Sequence, residues 1–187
     1  PPVYFFILGI WARVFGESIE AIRALSLTIG LLSAIIFYFL ANAIFTRKGS
    51  LLPFLAAFLL STNFVFARAT RFGRPEILTL LFILLSLLLF YKSFKSPKLL
   101  LLGFLFSALA VGTHPIGLLA PLILALAIIF LPTSKRLPQL LLLGLSTILT
   151  NVALILATQE SLSGFTKALI LGSKSKIEES IDLWGLV

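Results

Sequence analysis

Long apolar runs, cut by short polar or Pro/Gly breaks, set the pattern of this chain. Charge-free stretches fall at about 24–46, 51–67, 77–91, 99–113, 115–131 and 139–157. Each is long enough, or nearly so, to cross a hydrocarbon core of about 30 Å. The pattern predicts an all-α polytopic bundle of about six spans over residues 1–158, followed by an external loop with interfacial helices over 159–187. The run 3–12 is only ten residues, bounded by Pro2 and Arg13. It is too short to cross, which puts segment 1–18 in the interface or against other helices. Several spans are also short. Fifteen residues of helix rise about 22 Å, so such a helix can end below the membrane surface and line a cavity with its end. Residues 67–77 and 112–116 are the two places where this is expected.

Composition agrees with a membrane class. The 187 residues are 59% hydrophobic and 12% charged, with a mean hydropathy of +1.13. A soluble domain of this size would expose far more charge. There is no cysteine, so thiol and disulfide chemistry are absent from these residues. There is no methionine either, and the chain opens on "PPVYFF". It is read as an internal piece of a longer protein, with parts expected on both sides.

The net charge of +8 would suggest nucleic acid in a soluble protein. Here the cations sit between spans and report topology instead, and no nucleic-acid partner is expected. One set of breaks holds Arg47, Lys48, Lys92, Lys95, Lys98, Lys135 and Arg136, with no acid. The alternate set holds the other eight cations and all seven acids: Glu17, Glu20, Glu76, Glu160, Glu178, Glu179 and Asp182. The positive-inside rule makes the first side cytoplasmic. The stretch "ARATRFGRPE", His114 and everything after Thr158 then face out.

That sidedness makes Arg68, Arg71 and Arg74 unexpected, because topology does not call for cations at an outer face. Arginine is always charged and binds phosphate bidentately, so the cluster suits a lipid phosphate or pyrophosphate. The plainer reading is snorkelling to lipid head groups. Glu76 follows Pro75, where an acid meets the positive end of a helix dipole; a sharper role is to orient an arginine or a polar substrate group. His114, the only histidine, precedes Pro115, which disfavours helix there. An ionisable residue at membrane depth points to function, and the plainer reading is a helix end satisfied by backbone. One histidine without a Cys or acid pair makes no metal site. No Gly-rich phosphate loop, Ser/His/Asp set or paired carboxylates occur.

The order of these pieces resembles the C-type membrane glycosyltransferases, in the branch of dolichyl-phosphate-mannose protein mannosyltransferases and lipid A aminoarabinose transferases. A Pro-Pro-aromatic run, then Phe-Gly, then an arginine opening a span are matched by Pro1, Pro2, Tyr4, Phe15, Gly16 and Arg23. The family's arginine-rich turn ending in an acid is matched by "ARATRFGRPE", and its Thr-Lys or Thr-His and Gly by Thr113, His114 and Gly117. The resemblance covers about residues 1–160. It implies transfer of a sugar from a polyprenyl-phosphate-linked donor to an acceptor (protein, lipid or glycan) at the extracytoplasmic face of the plasma (inner) membrane, with inversion at the sugar carbon. Arg68, Arg71, Arg74 and His114 would hold the donor phosphate, and Glu76 would orient. The family's catalytic acid lies before the Pro-Pro run, upstream of Pro1, so no catalytic residue is expected here. No cofactor is identifiable, and a divalent metal in the full-length protein stays open. Two other classes compete: a transporter or lipid flippase, which internal repeats would favour, and a non-catalytic membrane scaffold.

Overall fold

A computed structural model describes residues 2–45, 50–130 and 136–157. All regular elements among them are helical: α1 (Pro2–Phe15), α2 (Ile19–Ile44), α3 (Leu52–Thr62), α4 (Phe64–Arg71), α5 (Pro75–Ser93), α6 (Lys98–Thr113), a 3₁₀ turn (Pro115–Leu118), α7 (Leu119–Phe130) and α8 (Arg136–Ala157). The chain divides into two compact units, Pro1–Asn151 and Val152–Val187. Of the second, only the last residues of α8 are described. The loop and interfacial helices expected over 159–187 lie outside the described residues, as do Arg47, Lys48 and Lys135.

Three helices are long and apolar enough to cross a bilayer: α2, α5 and α8. A fourth crossing forms if α3 and α4 count as one bent span. α6 has 16 residues and α7 has 12, and both fall short of the usual span. Large side chains such as Phe5, Phe39, Leu59, Leu102, Ile129 and Leu149 stay exposed. Apolar surface on this scale suits lipid rather than water, and the protein is an integral membrane protein.

The expected run 51–67 is not one straight helix. α3 and α4 meet at 60°. Asn63 is the cause: its backbone is extended, and its Oδ1 accepts from the Val65 and Phe66 amides at 3.0 and 3.2 Å. A capped new helix therefore starts where the old one would have continued. The run 115–131 also starts differently. Gly117 N–H donates to the His114 carbonyl at 2.8 Å, which closes the 3₁₀ turn before α7. The run 3–12 forms the 14-residue helix α1, and α2 opens at Ile19, ahead of the predicted 24, with Ser18 as its N-cap.

Packing fixes the directions. α5 and α6 form an antiparallel hairpin. Gly103 lies against Ser86 and Phe90, where an added Cβ would come within 3.2 Å of the Ser86 oxygen and Phe90 nitrogen. Phe82 meets Phe106 with ring centroids 5.8 Å apart. α2 runs alongside α5 in the same sense: Ser26 and Ile22 adjoin Gly73, and Leu40 clusters with Leu84 and Leu88. α7 returns toward the other end, where Leu124 and Ile128 join Phe90, Phe104 and Leu143. α8 comes back, and the Asn151 amide donates to the Ala108 carbonyl at 3.2 Å. Successive passes thus alternate in direction.

The 3₁₀ turn packs directly on α6. A Cβ at Gly117 would sit 1.9 Å from the Ala110 carbonyl oxygen and 2.7 Å from the Val111 nitrogen. Both are backbone atoms and cannot swing aside. Gly117→Ala should therefore cost about 1–3 kcal/mol, the usual range for overpacking, read as a lower Tm in detergent. Gly144→Ala, with nothing within 4 Å of its Cβ, should be neutral or stabilise α8 by up to about 1 kcal/mol. Equal behaviour of the two variants would refute this packing.

Candidate functional site

The three arginines stand around one bend. Arg68 and Arg71 are in the last turn of α4. Arg74 is the N-cap residue of α5, with extended backbone. Between them Gly73 takes φ +66, the left-handed region that suits glycine. The chain reverses here because Gly73 allows it and Pro75 starts the next helix. All three arginines are exposed.

Glu76 lies in the first turn of α5, where its charge meets the helix dipole. Its Oε1 is 3.7 Å from Arg74 Nη1, a loose contact between partly exposed groups that contributes little. Its Oε2 is buried and has no hydrogen-bond partner. That pair is the ion pair among the described residues, so Arg68 and Arg71 keep their guanidinium donors free of carboxylates there.

His114 caps α6 with an extended backbone, φ −163 and ψ 150. The Ile116 amide donates to its Nδ1 at 3.3 Å. In the neutral imidazole the proton then sits on Nε2, which is left as a donor. Its backbone ends α6, and its ring starts the 3₁₀ turn.

The hairpin brings these parts together. Extended along the hairpin, the register that sets Gly103 against Ser86–Phe90 and Phe106 against Phe82 brings the His114 end of α6 to the first turn of α5. The 3₁₀ turn also packs on α5. Lys92, Lys95 and Lys98 lie at the opposite end of the same hairpin. Beside His114 an open apolar groove of about 450 Å³ runs along Pro115, Ile116, Leu118, Leu119 and Leu122.

Beneath the bend is a polar contact that the residue pattern did not single out. The Tyr4 hydroxyl of α1 donates to the Gly73 carbonyl. Tyr4 is 4% exposed. Burial pushes its hydroxyl above the usual tyrosine pKa; Ser26 opposes this and the Glu76 carboxylate adds to it. The hydroxyl therefore stays a proton donor. Ser26 Oγ is fully buried, also with no hydrogen-bond partner of good geometry. No group of three His, Cys, Asp or Glu side chains suited to a metal occurs among the described residues.

Comparison with known proteins decides what this frame is part of. The family model described as dolichyl-phosphate-mannose-protein mannosyltransferase matches residues 1–159. The chain belongs to this family. It is a branch of the C-type membrane glycosyltransferases, and the match takes in every arginine of the bend, Glu76, His114 and Tyr4. A protein of Aquifex aeolicus (strain VF5), described as uncharacterized, is 32% identical over 124 residues, which is 65% of this chain and 24% of that protein. The chain thus spans about a quarter of that relative's length. No solved structure matches.

Gly73 carries the bend of this mannosyltransferase-family chain. A Cβ there would sit 2.7 Å from Ile22 Cγ2, and left-handed backbone costs a side-chain-bearing residue about 1–2 kcal/mol. Gly73→Ala should lower Tm accordingly. Gly9→Ala, with open space around its Cβ, should not. A Gly73→Ala protein as stable as the wild type would remove the constraint described here.

Proposed function

We propose that the protein is an integral membrane glycosyltransferase that takes a sugar from a polyprenyl-phosphate-linked donor and delivers it to an acceptor at the extracytoplasmic face. One observation carries this: the α5–α6 hairpin brings His114 to the end of the bundle where α5 starts at Arg74 and where Arg68 and Arg71 also lie. Cations at the outer end run against the positive-inside bias, so they need a ligand to explain them.

In this reading the three guanidinium groups and His114 Nε2–H receive the phosphate of the donor. Guanidinium forks suit phosphate oxygens, and they hold their charge at any accessible pH. When the sugar–phosphate bond breaks, negative charge grows on the departing phosphate. Fixed donors aimed at that charge stabilise the transition state more than the ground state. Glu76, loosely paired with Arg74, restrains that arginine. Inversion at the sugar carbon follows from the single displacement that the family implies. In this reading the catalytic acid belongs to the part of the protein ahead of Pro1, as the family resemblance implies.

Six crossings fit the alternating directions of α2, α3–α4, α5, α6, the 3₁₀ turn with α7, and α8. The short α6 and α7 then meet at His114 below the membrane surface, which gives the donor phosphate a cavity open to the outside. The plasma (inner) membrane is the location that this orientation suits. Sugar and acceptor are set by parts of the protein outside these helices.

The full-length protein, reconstituted in lipid, should bind undecaprenyl or dolichyl phosphate. Arg71→Ala and His114→Ala should each weaken that binding tenfold or more, about 1.4 kcal/mol. Lys95→Ala, at the other end of the hairpin, should not. Unchanged binding in both site variants, or none in the wild type, would remove this function.

A further inference from the structure

We infer that Tyr4 is a positioning residue for the arginine bend, acting through the Gly73 carbonyl rather than touching the donor itself. The inference rests on the phosphate reading of Arg68, Arg71 and Arg74 and adds to it how those residues are held.

Three observations point the same way. First, the contact joins residues 69 positions apart, so it ties α1 to a turn far from it in the chain. Ile22 packs against Gly73 without a directional bond, and the Tyr4 hydroxyl gives the Gly73 carbonyl its hydrogen bond. Phe72 and Arg74 are exposed on either side of Gly73, and the left-handed glycine adds backbone freedom rather than rigidity. Second, Tyr4 is itself fixed. It is almost fully buried, its helix is tied to α2 by Trp11 Nε1–H donating to the Ala21 carbonyl at 2.8 Å, and its ring meets Phe5 edge-on. The anchor is therefore stiffer than the turn it holds. Third, the surroundings carry unused polar atoms. Glu76 Oε2 is buried without a hydrogen-bond partner, and the buried Ser26 hydroxyl faces the Tyr4 hydroxyl without a well-aligned bond. Buried polar atoms are rarely left so, and here both lie beside the latch. Ser26 Oγ would be 3.8 Å from a Cβ at Gly73, and Tyr4 Oη 3.7 Å.

The consequence is mechanical. Arg71 lies two residues before Gly73 and Arg74 one after it. Losing the latch lets the turn move, and both guanidinium groups move with it. Small misplacement of positioning groups is costly in binding and in rate. A tyrosine hydroxyl suits the task because its burial keeps it protonated and donating.

The test is a double-mutant cycle in the full-length protein reconstituted in lipid, with undecaprenyl phosphate as the probe. Tyr4→Phe removes one oxygen and keeps the ring. It should weaken probe binding about tenfold while Tm stays close to that of the wild type. Combined with Arg71→Ala it should cost much less than the product of the two single losses, because both act through one group. Hydrogen exchange of the 70–76 amides should speed up in Tyr4→Phe. Wild-type affinity in Tyr4→Phe, with Arg71→Ala still weakened, would overturn the positioning role alone. Losses that simply multiply, or a fall in Tm with unchanged affinity of the folded fraction, would also overturn it. Failure of the wild type and of every variant to bind the probe would overturn the phosphate reading and this inference with it.

Discussion

Gly103 carries no side chain where α6 crosses α5, and the two backbones approach there to within van der Waals contact of a would-be Cβ. Small residues at such crossings let transmembrane helices pack without a hydrophobic driving force between them. This contact, with Phe82 against Phe106, sets the register of the hairpin. The register then decides which polar residues share an end. His114 comes to the end of the hairpin where α5 starts because the helices are antiparallel and in this phase; a shift of one turn would move it by about 5 Å. α2 is seated on α4 through another close approach, where a Cβ at Gly30 would overlap the Thr70 methyl. The arginine bend is thus held between helices whose spacing glycine sets.

The interior handles its polar groups in a way that fits an apolar medium. Ser33, Thr79, Ser86 and Thr113 are buried, and each hydroxyl donates to a carbonyl of its own helix three or four residues back. Such bonds satisfy the hydroxyl without needing a neighbour. Ser26, Ser107 and Glu76 Oε2 depart from this pattern. Two of the three lie beside the arginine bend. Polar atoms cost free energy when buried unpaired, so the packing beside the bend is less complete in its hydrogen bonding than in the rest of the interior.

Much of this was legible in the sequence. The six apolar runs each correspond to helix, and the residues that break them, Pro75, Pro115 and the arginines, stand at helix ends. Periodicity did not show the bend at Asn63, because "STNFVF" carries no charge and reads as part of one run; only the capping preference of asparagine hinted at it. The six crossings are likewise a matter of length: charge-free stretches of 15–17 residues look like spans, while α6 and α7 alone are shorter than a typical core. The Tyr4 latch was hidden for another reason. It joins residues far apart in the chain, and no local pattern encodes such a pairing. The family motif included Tyr4, and its chemistry became clear only when Gly73 was found above it.

The central claim is that the arginine bend and His114 share one end of the bundle and that this end faces out. The 187 residues contain no cysteine, so in the full-length protein, with any cysteine elsewhere replaced by serine, single cysteines can be placed at Arg74, His114 and Lys95 and labelled in intact cells with a membrane-impermeant maleimide. The account predicts labelling at positions 74 and 114 and none at 95 until the membrane is opened. Labelling of 74 and 114 from opposite sides would contradict the hairpin register, and labelling of 95 alone would contradict the orientation.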